Sequence, residues 1–277
     1  MPHIFITGAS GYIGTVLTCL AISQHHTVHT LSRSETSDAK LSSLGATPVR
    51  GDLTTHDILT REAAAADITI NIADAIAGRL GQISDSERKE TNNAAVSALA
   101  RGIEGTEKKL VLTSGSLFTA ADPNGAETNE DSPGWTNSPF GHGLESLFPT
   151  LKSQGLNANV VRLAPWVYGR GGSGVRLFMN GAAKTGTMTY IDDGGKCTTT
   201  VHVEDAARLY LLVALNAPAG EIYNATSETD VTFRQLAEAM GKILGVPVRS
   251  QSYEVMESKA GVVLTRFLSL ENRASSE

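Results

Sequence analysis

Three glycines at a spacing of three, Gly8, Gly11 and Gly14, stand where the apolar run His3-Ile4-Phe5-Ile6-Thr7 gives way to the helical pattern of residues 15–22. A buried strand turning sharply into a helix must omit a side chain at three points. These are the tight turn, the approach of backbone N–H groups to a ligand, and the contact of helix with strand. The helix start then offers unpaired donors and partial positive charge to phosphate. Thr7, Gly8, Ser10, Gly11, Tyr12, Ile13 and Gly14 are therefore expected to cradle a dinucleotide pyrophosphate. The competing reading, a merely structural turn, is disfavoured by the position of the glycines at the head of a strand-turn-helix.

The next chemistry-bearing residues fall at successive strand ends. A second strand, residues 27–31, runs into Ser32-Arg33-Ser34. An acidic residue there would bind both ribose hydroxyls of NAD; residues 31–34 contain none. Arg33 can instead pair with a 2′-phosphate, with Ser32 and Ser34 adding hydrogen bonds, so NADP(H) is expected. The alternative is an ordinary surface arginine. A short strand at 47–50 ends in Gly51-Asp52-Leu53, where Asp52 can accept from the adenine amino group and Leu53 can cover the ring. Asp52 also suits the N-cap of a helix at 57–66. Ile72 and Ala73, ending a strand at 68–73, should flank the ribose and phosphates, and Asn92, on a helix at 84–105, joins the cofactor set. A fifth strand, 109–116, carries the small polar residues Ser114 and Ser116.

Strands alternating with helices in this way predict an α/β fold, a doubly wound parallel (Rossmann) sheet with its ligand outside the carboxyl ends of the strands. Residues 118–139 read as a long active-site flap, followed by a helix at 140–154 and a strand at 159–163. Beyond Pro165 the texture changes. A flexible stretch at 169–174 precedes short strands at 188–191, 199–202 and 221–224, with helices at 203–215 and 232–244. The expected organisation is a core over 1–165 and, over 166–277, mainly a small C-terminal α/β substrate lobe, some segments of which return to the core.

With 41% hydrophobic and 19% charged residues, the 277-residue chain can bury a sizeable core. A net charge of −6 and a pI near 5.7 argue against a nucleic-acid partner. Cys19 and Cys197 have no metal-ligand neighbours, so no metal is expected. No apolar run approaches the roughly 20 residues of a membrane span, and the chain starts directly with a strand, so no membrane partner is expected and the cytoplasm is the default location.

Taken in order, the motifs resemble the short-chain dehydrogenase/reductase superfamily, in its extended or atypical, epimerase/dehydratase-like branch. The carrying residues are the segment 7–14, Gly51-Asp52-Leu53, Asn71-Ile72-Ala73, Leu112-Thr113-Ser114, Arg162-Leu163-Ala164-Pro165-Trp166-Val167-Tyr168-Gly169, and Val201-His202-Val203-Glu204-Asp205-Ala206-Ala207. The resemblance covers nearly the whole chain and implies a Rossmann domain with a small substrate lobe, Pro165 being counted with the cofactor contacts. It also implies catalysis by a tyrosine, a lysine four residues later, and a serine or threonine. Here Phe140 stands at the tyrosine place and Leu144 at the lysine place. None of the six tyrosines, 12, 168, 190, 210, 223 and 253, has a lysine four residues on. The usual serine aligns with Gly115 or, with a one-residue shift, Ser116.

Three readings follow. In the first, the protein is an NADP(H)-dependent oxidoreductase acting on a carbonyl or hydroxyl of a small organic, secondary-metabolite-like substrate. His142, one helical turn from Glu145, then manages the proton, Ser114 or Ser116 holds the substrate oxygen, and Tyr168 is a further candidate acid. His142 also reads as an exposed histidine and Tyr168 as a packing residue. In the second, the scaffold performs a non-redox isomerisation, dehydration or cyclisation. In the third, it is a non-catalytic NADP(H)-sensing module. The substrate pocket is expected among residues 116–142, 166–175 and 190–197. Trp135, Phe118, Phe140 and Trp166 either line an apolar cavity or form simple core. The resemblance leaves a homodimer through the helices at 84–105 and 140–154 as an option, and implies one more helix beyond a segment like Asn272–Ser276.

Overall fold

A computed structural model describes residues 1–79, 82–136 and 144–276. In chain order the elements begin with β1 (His3–Thr7), α1 (Tyr12–Ser23), β2 (Thr27–Ser32), α2 (Glu35–Ser43), β3 (Thr47–Arg50), α3 (His56–Ala65), β4 (Ile68–Asn71), α4 (Asp85–Ile103) and β5 (Lys109–Gly115). A 3-10 turn at Leu144–Leu147 leads into α5 (Phe148–Ser153) and β6 (Asn157–Leu163). There follow β7 (Trp166–Tyr168), α6 (Ser173–Thr185), β8 (Met188–Ile191), β9 (Cys197–His202), α7 (Val203–Asn216) and β10 (Ile222–Ala225). The chain continues with β11 (Glu228–Thr232), α8 (Phe233–Leu244), β12 (Val248–Gln251), α9 (Tyr253–Ala260) and α10 (Val262–Phe267).

Strand order in the main sheet is β10-β6-β5-β4-β1-β2-β3, and β3-β2-β1-β4-β5 pair in parallel. The α/β doubly wound fold expected from the sequence is therefore present. The order reverses between β1 and β4, the topological switch point at which ligands bind such sheets. The runs that form β1 and β4 are buried on both faces, as a sheet covered by helices requires: Ile4, Phe5, Ile6 and Ile70 are fully buried, and the other face of β4 carries the buried polar Thr69 and Asn71.

Two compact units divide the chain. The first comprises 1–114, 142–162 and 204–223; the second comprises 115–141, 163–203 and 224–277. The sequence predicts a core over 1–165 and a lobe over 166–277 with some segments returning to the core; in this division residues 115–141 cluster with the second unit and 204–223, most of α7, with the first. The first unit's core is a cluster of Phe5, Leu59, Leu99, Ile103, Leu112, Leu144 and Phe148. Its helices start where capping chemistry places them. Ser34 accepts from Ser37 N at 3.2 Å and Ser84 from Glu87 N at 3.2 Å, and α4 carries Asp85 and Glu87 in its first turn.

In the second unit, β11-β9-β7 form a three-stranded sheet and β12-β8 a pair, beneath α6 and α8. A capping box of Thr232 and Gln235 starts α8. Its core gathers Trp166, Ala182, Met188, Phe233, Ala237 and Met240.

Two expectations need correction. Of the helix expected over 140–154, the described residues show a 3-10 turn at Leu144–Leu147 that passes into α5 at Phe148; residues 137–143 lie outside the described set. Pro149 has no N–H to donate and suits only a helix's first turn, which is where it stands. The stretch 169–174, expected to be flexible, ends in the start of a 13-residue helix, α6. Val175, Phe178, Met179 and Ala182 supply its i, i+3, i+4, i+7 apolar face, which packs on the second core and outweighs Gly174 and Gly181.

Candidate functional site

The glycine turn sits at the tips of β1 and β4. Gly8 has φ +75°, and a Cβ there would lie 2.8 Å from Ala73 N. A Cβ on Gly14 would lie 2.2 Å from Gly8 O, so α1 can approach the turn only without a side chain. Gly11 N donates to Gly8 O at 3.0 Å, closing the turn, and Gly11 is the α1 N-cap with no side-chain cap and no acid in the first turn. This end of α1 is built to face an anion rather than a carboxylate of its own. Thr7 is fully buried. Its hydroxyl donates to Asn71 Oδ1 at 2.6 Å and accepts from Ala73 N at 3.3 Å, while Ile72 N donates to Thr7 O. Thr7 therefore braces the two strand tips, and Ile72 and Ala73 are held directly beside Gly8.

Arg33, exposed past the end of β2, donates from Nη1 to Ala77 O at 3.2 Å. Lys40 on α2 donates to Ser10 O at 2.8 Å, which sets a second cation on the glycine turn. Sequence reading missed Lys40; the signal was a lone basic residue in the helix that follows β2. Ser32 and Ser34, expected at the phosphate, are engaged locally. Ser32 is buried and its hydroxyl donates to Ser34 O, whereas Ser34 caps α2. Short hydroxyl side chains capture nearby backbone first.

Asp52 is not a helix cap. Its Oδ1 accepts from Thr54 N and Thr54 Oγ1 at 2.7 and 2.6 Å, and Thr55 is the residue before α3. The Thr54 hydroxyl bond holds the Asp52 carboxyl below the usual value of 3.8 against the opposing effect of burial, with Arg33 adding to the lowering. Leu53 packs against the first core. Asn92 is buried, and its Oδ1 accepts from Ala75 N at 2.9 Å, so it holds the segment after β4. Asp74 in that segment is gripped by Arg88 through two bonds of 2.9 and 2.7 Å. Burial would raise the Asp74 carboxyl, but the Arg88 bonds and Ile76 N outweigh it and the net shift is downward.

At the end of β5, Thr113 donates to Asn71 O at 2.8 Å and shares a 2.7 Å bond with the buried Tyr210 hydroxyl. Burial pushes the Tyr210 pKa up, so it is a structural phenol. Ser114, next along, is half-buried. Leu144, at the place expected for lysine, is buried in the first core. Glu145 and Arg162 form a largely buried pair that sequence reading missed: Arg162 Nε lies 3.0 and 3.1 Å from the two carboxylate oxygens, and Nη2 bonds Oε1.

Three expected residues belong to the second unit. Ser116 is fully buried; its hydroxyl donates to Asn272 Oδ1 at 2.9 Å and its carbonyl accepts from Asn272 Nδ2. Thr199 donates to the same Asn272 oxygen at 2.7 Å. Ser116 is thus committed to anchoring the C-terminal segment rather than facing a substrate. Tyr168 is 41% exposed, its ring edge-on to His202 at 5.3 Å. Pro165 immediately precedes β7. His142 and Phe140 lie outside the described residues. Among the described residues no group of three or more metal-ligating side chains occurs, and no helix is long and apolar enough to cross a membrane.

Comparison with known proteins adds to this geometry. Residues 4–226 match the model of the NAD dependent epimerase/dehydratase family. The chain is 34% identical to an uncharacterized protein, C2A9.02, of Schizosaccharomyces pombe, covering 99% of this chain and 91% of that one. It is 27% identical to a sterol-4-alpha-carboxylate 3-dehydrogenase (decarboxylating) of Dictyostelium discoideum, over 89% of this chain and 77% of that one. Among solved structures, the human epimerase family protein SDR39U1, crystallised with NADPH, superposes with a TM-score of 0.74 at 21% identity. That match covers 99% of this chain and 91% of the human one.

Proposed function

Since the chain belongs to the NAD dependent epimerase/dehydratase family, a family of enzymes that use a nicotinamide dinucleotide, we propose that it is an NADP(H)-dependent oxidoreductase. Its substrate is a small organic molecule with a carbonyl or hydroxyl, and its proton donor is something other than the tyrosine–lysine pair. The observation that carries this reading is the switch-point turn. Gly8 and Gly14 leave a cradle that a Cβ would fill, α1 opens onto it without a cap, Lys40 bonds the turn at Ser10 O, and Arg33 stands past the end of β2 with no acid at 31–34.

The residues present fit the group. The pyrophosphate would be held by the backbone of residues 8–14, the 2′-phosphate by Arg33 and Lys40, and the adenine end by Asp52. When bound, the cofactor supplies or accepts hydride. The chain's own part is to orient the substrate oxygen and move one proton. Ser114 is the serine we assign to the substrate oxygen, because Ser116 is buried and bonded to Asn272. His142 and Tyr168 are the candidate proton carriers. Proteins of this fold are crystallised with NADPH and with NAD, so the choice of NADP(H) rests on Arg33 and Lys40.

A second reading, non-redox chemistry on the same scaffold, is favoured by one observation. Leu144 is core, so no cation stands at the lysine place to lower a phenol's pKa. Two measurements separate the readings. Calorimetric titration with NADPH and NADH tests the cofactor, with NADPH expected to bind at least tenfold more tightly. Absorbance at 340 nm during incubation with a panel of ketones and aldehydes tests the reaction. Substrate turnover without any change in absorbance would favour the non-redox reading.

A further inference from the structure

The sheet order β4-β1-β2 puts the ends of β4 and β2 on either side of the β1 tip, where the glycine turn begins. A hydrogen bond spans that gap. Arg33, just past β2, donates from Nη1 to Ala77 O, in the segment that follows β4. This segment is fastened to α4 on both sides of Ala77. Before it, Asp74 is held by Arg88 and Ala75 N donates to Asn92 Oδ1; after it, Arg79 Nη2 bonds Glu87 Oε1 at 2.6 Å. Residues 74–79 thus form a strap anchored on α4, with its midpoint reaching Arg33.

The shape of the strap follows from one glycine. Arg79 N donates to Ile76 O at 2.8 Å, closing a four-residue turn whose third residue, Gly78, has φ +78°. Ala77, the second residue, does not have a positive φ, so the turn is of type II. A type I turn, which most residues favour, turns the Ala77–Gly78 peptide over and points the Ala77 carbonyl the other way. A Cβ on Gly78 would meet nothing within 4 Å, so glycine is needed for its backbone angle and not for lack of room. Gly78 therefore aims Ala77 O at Arg33.

Arg33 is exposed and only partly committed. Among the described residues its hydrogen bond is made through Nη1, which leaves Nε and Nη2 to meet an anion. An exposed arginine surrenders rotamer freedom to hold a single carbonyl, so the bond is weak while the guanidinium is otherwise free. A phosphate on the same guanidinium fixes it beforehand, and the Ala77 bond then forms at little further entropic cost.

We propose that residues 74–79 are a strap that closes over the adenosine end of the dinucleotide, and that the 2′-phosphate is what closes it. Arg33 holds the phosphate through Nε and Nη2 and keeps Ala77 O on Nη1, so NADP(H) is retained under the strap and NAD(H) is not. The strap presupposes the NADP(H) reading above and adds to that site a closure set by Gly78.

Hydrogen–deuterium exchange on the full chain with NADPH, with NADH and with neither reads the strap and the glycine turn separately. NADPH is expected to slow exchange over both 8–14 and 74–79, and NADH over 8–14 alone. Stopped-flow displacement then gives the release rates. Gly78→Val favours the type I turn at an exposed site with open space around it, so the fold is kept. It should abolish protection of the strap and speed NADPH release about fivefold or more, with NADH release unchanged. Gly78→Asn, whose side chain tolerates a positive φ, should keep both the protection and the slow release. Equal protection of the strap by the two cofactors would overturn the proposal. So would NADPH release indifferent to Gly78→Val, or a loss in Gly78→Asn as large as in Gly78→Val. If NADPH protects the glycine turn and binds in preference to NADH while the strap stays unprotected, the strap alone fails and the cofactor reading stands. If NADPH protects neither segment, or binds no better than NADH, both fall.

Discussion

Among the described residues Arg33 and Lys40 each bond a backbone carbonyl and form no ion pair, so a phosphate can take over both without breaking one. A charge-assisted bond contributes about 1.5–3 kcal/mol. Arg33→Ala should accordingly weaken NADPH binding by roughly tenfold to a hundredfold and leave NADH nearly unchanged; equal losses in the two titrations would remove the 2′-phosphate argument. His142→Ala should lower turnover by about 10²-fold while preserving NADPH affinity, if the imidazole moves the proton. At this scale the sequence was legible where backbone geometry demands one residue type. Gly8 and Gly14 are such positions, since a Cβ at either meets backbone at 2.8 Å or less. It was illegible where a polar side chain has two uses. Ser32, Ser34, Asn92 and Ser116 all read as ligand contacts, yet each is engaged with the protein itself. Nothing in a one-dimensional pattern says which partner a hydroxyl or amide will meet first.

Between elements, two ion pairs fix the segments that border the strand tips. Arg162 on β6 is buried and the Glu145 side chain before α5 is only 10% exposed, so removing one partner leaves a poorly solvated, uncompensated charge. Arg162→Met should cost about 3–5 kcal/mol in urea unfolding, and adding Glu145→Leu should recover much of it; a single variant as stable as the parent would show the pair to be unimportant. Arg88 on α4 grips Asp74 after β4, and the Asp74 pKa is lowered in the folded chain. The stabilisation from a lowered carboxyl is complete above the unfolded value of 3.8 and is lost as pH falls through the folded value. The stability gap between the parent and Asp74→Asn should therefore hold steady above pH 3.8 and narrow as the pH falls below it, read by urea unfolding at a series of pH values. Elements with long apolar runs or strong caps, such as β1, β4, α4 and α8, could be read from sequence within a residue or two. By contrast α6 was hidden by its glycines, although Val175, Phe178, Met179 and Ala182 carried the helical period. Three-residue β7 is too short to leave any pattern.

Across the whole molecule the chain passes between its two units five times. The alternation of strands and helices made the sheet legible. That some C-terminal segments return to the core was expected; which of them do so was not legible, because the helical pattern of α7 does not say which sheet it covers. That return has an energetic role: Tyr210 on α7 is fully buried and bonded to Thr113, and Lys109 donates to Val213 O and Ala217 O at 3.2 and 2.6 Å. A fragment ending at 165 would leave those groups without partners. It should fail to fold, giving a far-ultraviolet circular dichroism spectrum of low helicity; a cooperative unfolding transition from that fragment would contradict the role given to α7.

The chain has two tryptophans, Trp135 and Trp166, and both fall in the second unit. Trp135 donates from its indole nitrogen to Leu117 O at 3.0 Å, whereas the Trp166 nitrogen is unpartnered. Intrinsic emission excited at 295 nm is therefore a reporter of the second unit alone, while the helical dichroism signal draws on both. If the two probes give the same denaturant midpoint, the units melt as one cooperative body. If emission changes first, the second unit opens while the glycine turn is still folded, and its population can be read separately from the first.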